Sequence, residues 1–160
     1  MYSKLHPPPE TPEDELCSCD GNKPIKLMYA LSYNPLCCID CNLQVVPETL
    51  ALNLRLVEAI ASWRDVMGAI DHLWLDSGAY EAWAKQQLST IASPVNQQGL
   101  VVCKELDAIR RCYYWYFQDE SSEDYEPITH CPNCQQELVG YSNGIFRQLL
   151  CEQCSIITVG

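Results

Sequence analysis

Residues 130–154 read HCPNCQQELVGYSNGIFRQLLCEQC, two Cys-x-x-Cys pairs separated by the sixteen residues 135–150. A Cys-x-x-Cys turn wraps two sulfurs round one side of a tetrahedron. The intervening residues supply a hairpin, with turn residues from Gly140 to Gly144, that brings the second pair opposite the first. The spacing therefore predicts that Cys131, Cys134, Cys151 and Cys154 hold one Zn²⁺ as thiolates. Four protein sulfurs close the coordination sphere, leaving no position for water or substrate, and such a site folds a module too small to bury its own core. Two disulfides or a redox dithiol compete with this reading, and the spacing favours zinc.

Working outward, residues 118–126 are an acidic loop that reads as a linker. Before it, Cys112 to Phe117 (CYYWYF) is dense in aromatics of high strand preference. The middle of the chain is helical. Leu56, Val57, Ile60, Trp63, Val66, Met67 and Ile70 recur at intervals of three and four, predicting one apolar face on a helix that starts after Pro47 and ends before Asp76-Ser77-Gly78. A second, shorter helix is expected with Tyr80, Trp83 and Leu88 inward. Ser93-Pro94 suits the N-cap and first position of a third helix, which buries Leu100, Cys103 and Leu106. Lys26 to Leu31 reads as a strand.

A second cysteine set lies near the start: Cys17-x-Cys19, then Cys38-x-x-Cys41 with Cys37 beside it. One strand flanked by two chelating turns predicts a second metal site from Cys17, Cys19, Cys38 and Cys41. Partly buried free thiols and a redox pair at Cys38 and Cys41 stand beside that reading. Core packing accounts for Cys103 and Cys112.

The chain has 160 residues, 48% of them hydrophobic, which is enough for a real core. Acid dominates: 21 Asp and Glu against 10 Lys and Arg, a formal charge of −11. Such a surface repels phosphate backbones and anionic lipid and attracts basic proteins. No apolar run approaches the ~20 residues of a membrane helix, and MYSKLHPPPE has no apolar signal-peptide core. Paired cysteines suit chelation better than disulfide staples. A reduced, cytoplasmic location with no membrane partner is expected.

No H-x-E, H-E-x-x-H, P-loop or G-x-G-x-x-G motif accompanies the cysteines, so no enzyme is expected. His6 falls in the N-terminal leader, His72 near a helix end, and His130 beside Cys131. Nucleic-acid binding needs a basic stripe. Residues 131–160 hold one basic side chain, Arg147. The cluster Lys104, Arg110 and Arg111 adjoins the aromatic run, which is a stacking platform for single strands or, more commonly, a buried central strand.

Several features then occur in a fixed order: PLCCIDC (35–41), LWLDSGAYEAWA (73–84), SPVNQQG (93–99), YYW (113–115) and the terminal CPNC…CEQC. From residue 17 to 160 this resembles a bacterial family of Zn-ribbon-containing proteins named for a candidate nucleic-acid-binding role. It is also similar to double-CXXCG proteins. The resemblance implies zinc at Cys131, Cys134, Cys151 and Cys154. The chain departs from the pattern by carrying Asn42, Gln135 and Ser155 where glycine follows the second cysteine, which is expected to loosen those turns. Relatives of the double-CXXCG type are associated with toxin–immunity loci.

Together these readings predict an α+β protein, a small helical core with short strands and a C-terminal zinc ribbon. Residues 1–16 are expected as a flexible, acidic, Pro-rich leader, 17–118 as the core with its cysteine knuckles, and 127–160 as the ribbon. The expected function is non-catalytic: an acidic protein-binding module, with an immunity protein against a basic toxin as the sharper form. A nucleic-acid-binding zinc-ribbon protein is the alternative.

Overall fold

Asn53 and Ser93 open the two long helices. The Asn53 Oδ1 accepts the N–H of Leu56 (2.9 Å), satisfying one donor that a helix start leaves orphaned. The computed structural model describes residues 2, 5, 11–30, 33–121, 123–142 and 146–160. Its helices are α1 (Leu54–Asp76), α2 (Glu81–Ser89) and α3 (Pro94–Asp107). Its strands are β1 (Ile25–Leu27), β2 (Leu36–Cys38), β3 (Cys112–Trp115), β4 (Val139–Ser142), β5 (Arg147–Cys151) and β6 (Ile156–Val159). The protein is thus α+β. The strand expected at Lys26–Leu31 is shorter and shifted, and α1 begins later than Pro47 because a 3-10 turn, Pro47–Leu50, precedes it.

The six strands form one sheet in the order β2-β1-β3-β6-β5-β4. β1–β3 and β3–β6 are parallel; the other neighbours are antiparallel. The ribbon strands therefore continue the sheet of the core, joined where Tyr114 pairs with Ile156 and Trp115 with Ile157. The hairpin turn expected from Gly140 to Gly144 begins later, since Gly140 lies within β4; Gly144 lies outside the described residues.

Alternation along the strands sorts side chains onto two faces. Ile25, Leu27, Cys112 and Tyr114 pack with Leu56, Val57, Ile60, Trp63, Leu88 and Leu106 of the helices. Tyr113, Trp115, Leu150 and Ile157 form a separate apolar group on the other side with Ile39. The Cys112–Phe117 run thus supplies an interior strand, β3, in which Tyr113 and Tyr114 are buried, followed by the buried Tyr116.

Three positions of the helical stripe differ from expectation. Val66 is 43% exposed, Tyr80 60% and Trp83 48%. α2 rests on its neighbours through Ala84 and Leu88, and a nine-residue helix seated on that line leaves Trp83 to one side. The segment expected as a flexible leader is anchored at two described points. Leu5 is fully buried in the main core, and Tyr2 Oη donates to Leu52 O (3.1 Å). His6 and residues 7–10 lie outside the described residues.

Ser93, Asn96 and Gly99 hold the helical layer to the sheet. Ser93 Oγ donates to Gln87 O (2.6 Å), and the buried Asn96 Nδ2 donates to the carbonyls of Leu88 and Thr90 (both 2.9 Å) at the end of α2. Tyr114 Oη in turn donates to Asn96 Oδ1 (2.6 Å). Trp63 meets Tyr114 edge to face at 5.9 Å, an arrangement that adds about 1 kcal/mol to the burial of both rings. A Cβ on Gly99 would overlap the Tyr114 ring and lie 2.7 Å from Trp63 Nε1. Gly99→Ala is expected to cost about 3 kcal/mol in urea unfolding. Gly140→Ala, where a Cβ meets nothing within 4 Å, is expected to cost under about 0.5 kcal/mol. Equal effects at the two sites would refute this account of the seam.

Candidate metal centres

The four sulfurs of Cys131, Cys134, Cys151 and Cys154 lie within 4.8 Å of one another. A tetrahedron with Zn–S bonds of about 2.3 Å has an edge of about 3.8 Å, so the set fits one zinc ion. Cys134 and Cys151 stand 3.6 Å apart at sulfur, well beyond the roughly 2.05 Å of a disulfide, and all eleven cysteines are free.

The backbone makes this site. Cys131 N–H donates to Gln136 O (2.8 Å) and Gln135 N–H to Cys131 O (2.9 Å), closing a tight loop round the first pair. Gln135 sits at φ 62°, in the left-handed region. The loop turns the N–H groups of Cys134 and Asn133 toward Cys131 sulfur, and that of Gln136 toward Cys134 sulfur. Burial nevertheless pushes the Cys131 thiol up to about 12. The Gln136 N–H pulls Cys134 down to about 7. Four sulfurs this close cannot all ionise unaided, because each thiolate raises the cost of the next. A cation among them removes that conflict.

Neighbouring groups hold the ribbon in place. Asn133 Nδ2 donates to Cys154 sulfur (3.3 Å). Arg111, just before β3, donates to Glu152 O (3.1 Å), Glu152 Oε2 (2.7 Å) and Ser155 Oγ (3.2 Å), so it fastens the second knuckle to the core.

The second set also converges: Cys17, Cys19, Cys38 and Cys41 sulfurs lie within 4.8 Å of one another. Its Cys38–Cys41 turn repeats the ribbon's backbone bonds position for position. Cys38 N–H donates to Leu43 O (2.9 Å), Asn42 N–H donates to Cys38 O (3.1 Å), and Asn42 sits at φ 62°. Burial opposes ionisation of Cys38, but the N–H groups of Cys41 and Asp40 bring it below an ordinary thiol. Cys17 and Cys19 come from an irregular segment docked beside the turn through Cys17 N–H to Gln44 O (2.7 Å). Burial raises Cys17, and the neighbouring Cys41 raises Cys19.

The glycine-lacking knuckles are therefore not loosened. Asn42, Gln135 and Ser155 adopt φ of 62°, 62° and 52°, the conformation that glycine would take there, at a cost of roughly 1–2 kcal/mol each for a residue with a side chain. Asn42 has a use for its side chain: its Oδ1 accepts from Lys26 Nζ. Lys26 is fully buried, donates also to Gln148 Oε1 (3.0 Å) and lies 4.5 Å over the Trp115 ring. Burial lowers it to about 8, while negative charge on Cys37, Cys38 and Cys41 favours its ammonium form. Sequence reasoning missed Lys26, which looked like an ordinary strand residue.

The two centres brace each other. Gln148 Nε2, on β5, donates to Ile39 O (3.0 Å) at the first knuckle, and Tyr141 Oη donates to Asp40, which also pairs with Lys23 (3.0 Å).

Other candidates lie elsewhere. Cys37 is buried outside the first cluster, and Cys103 and Cys112 are buried in the main core. His130 faces Thr129 (2.9 Å) rather than a sulfur cluster, and His72 pairs with Asp76 (3.6 Å). Within the cluster Lys104, Arg110 and Arg111, Arg111 is held by Asp107 and Glu152 and Arg110 donates to Lys23 O (2.5 Å), while Lys104 is exposed on α3. No helix among the described residues is long and apolar enough to cross a membrane.

No protein-family model, curated protein or solved structure matches the chain.

Because Gln135 is held left-handed, Gln135→Val is expected to lower thermal stability of the zinc-loaded protein by about 1–2 kcal/mol. Gln135→Gly is expected to stay within about 0.5 kcal/mol of the parent or exceed it. Equal losses from both would show that the side chain, not the backbone angle, matters.

Proposed function

We propose that the chain is a non-catalytic zinc-ribbon protein, with one Zn²⁺ in each four-cysteine cluster, that captures a basic protein through its acidic surface. Its partner of first choice is a basic toxin that it neutralises as an immunity protein. One observation carries the proposal: among the described residues, most cations are paired with the protein's own carboxylates or buried. Lys23, Arg55, Arg64, Lys85 and Arg111 pair with its own carboxylates, and Lys26 is buried. The excess acid behind the −11 charge therefore faces outward, for instance at Glu13, Asp14 and Glu15 and at Glu120, Glu123 and Glu126. That field speeds encounter with a basic partner and repels phosphate backbones.

The closed sulfur sets support a structural rather than catalytic use of the metal, since a catalytic zinc keeps an open position. Thiolate centres of this kind suit a reducing compartment such as the cytoplasm. Nucleic-acid binding through the ribbon is weakened by the engagement of Arg111 and the burial of the aromatic strand.

Metal analysis of the full-length chain is expected to give two zinc ions per molecule, and one in the Cys38→Ser/Cys41→Ser variant. A single zinc in the parent removes the first centre, and none removes both. A basic protein encoded beside this one is expected to co-purify with it, with an association rate that falls steeply as salt rises. No association at micromolar concentration ends the toxin pairing. Salt-sensitive binding of DNA or RNA would transfer the function to nucleic acid.

A further inference from the structure

The turn between α1 and α2 places two large aromatic side chains in water on one corner. Tyr80 is the N-cap of α2 and Trp83 lies three residues on, a spacing that puts both on the same side of the helix start. These positions ordinarily stabilise a helix, with Ser, Thr or Asp at the cap and Glu at the third residue. Here the side chain of Tyr80 makes no capping bond, which costs about 1 kcal/mol relative to a good cap. The core does not gain from the choice either, since both rings are among the most exposed large apolar side chains of the described residues.

The corner is tied together by side chain–backbone hydrogen bonds. Ser77 Oγ donates to Leu73 O and accepts the N–H of Tyr80 (3.1 Å). Gly78, at φ +62°, donates its N–H to Glu81 Oε1 (3.0 Å). Ala84 and Leu88 then seat α2 on the core. Aromatic rings already fixed in place bind with little ordering cost, and exposed Trp and Tyr are the residues that most often dominate an interface.

The local charge selects the occupant. Asp76, the last residue of α1, and Glu81, the first of α2, bracket the corner, and both are exposed. Of the cations nearby, Lys85 is held by Asp119 (2.6 Å) and His72 faces Asp76. An aromatic pair flanked by carboxylates favours an arginine or lysine, which stacks on the ring face while bonding the acid. A second copy of the chain would bring a like charge of −11 to the same place.

We propose that Tyr80 and Trp83, with Asp76 and Glu81 beside them, form the anchor that receives an arginine or lysine side chain of a basic partner protein. The proposal rests on the acidic-capture reading and names the contact within it.

The test uses the full-length, zinc-loaded protein labelled with ¹⁵N and a short synthetic peptide of alternating arginine and serine at ~20 mM salt, where screening is weak. The four tryptophan indole N–H signals act as separate reporters, with Trp83→Phe assigning the one that matters. The expected result is a saturable shift of the Trp83 indole and the Gly78 and Glu81 amides. Trp83→Ala is expected to weaken binding about five- to tenfold, Trp83→Phe less, with zinc content and circular dichroism unchanged. Shifts confined to residues 118–126, with Trp83→Ala binding like the parent, would overturn the corner while leaving acidic capture standing. No peptide binding at all would overturn both. Concentration-dependent dimerisation abolished by Trp83→Ala would give the corner to a second copy and end its assignment to a basic partner.

Discussion

Four sulfurs within 4.8 Å set the condition that the rest of the molecule meets. As thiols they are poor partners for one another; as thiolates they repel. Only with a cation at their centre does the cluster become a source of stability rather than a cost. The backbone is arranged for the ionised state, since loop N–H groups point at Cys38, Cys131 and Cys134. These loops accept left-handed residues at 42 and 135 to do so. Each centre spends local conformational energy on pre-aiming donors at charge, which a bound ion would recover.

The two centres are not independent staples. The first knuckle presses Ile39 against Tyr113, Leu150 and Ile157, so its tip caps the apolar group on the sheet face opposite the helices. Lys26 reaches across the same space to Asn42 and Gln148, linking the first knuckle to β5 of the ribbon. Its burial without a contacting carboxylate would be expensive in a neutral setting. Beside ionised sulfur and over an indole face it becomes a counter-charge. Losing one metal would therefore disturb the other half through Lys26, Gln148 and Tyr141.

What could be read from the chain follows from how local each signal is. Cys-x-x-Cys spacing is short-range geometry, so both sulfur sets were legible, as were Ser93-Pro94 and the periodic face from Leu56 to Ile70. The glycine departures were legible as departures but were misjudged: spacing cannot show that asparagine, glutamine and serine will adopt the angle that glycine would take. Trp83 and Tyr80 were misplaced for a related reason. Periodicity marks an apolar stripe, but the extent of cover is decided by where α2 lands on its neighbours, and Ala84 and Leu88 complete that contact alone. The union of ribbon and core in one sheet rests on the parallel pairing of β3 with β6, a long-range contact that leaves no mark in either segment.

Charge ties the metal chemistry to the surface. A Zn²⁺ with four thiolates carries a net charge of about −2, so filling the centres deepens the acidity already present in the side chains. The protein answers that charge from within, with Lys26 beside the first centre and Arg111 on the knuckle of the second. Lys26 is thereby removed from the outer surface, and Arg111 is neutralised where it stands. The same placement that makes thiolate clusters tolerable inside the fold thus leaves the exterior more negative, which is the property that the proposed capture of a basic protein needs. Metal loading and partner recognition would then be coupled through electrostatics, without either centre touching the partner.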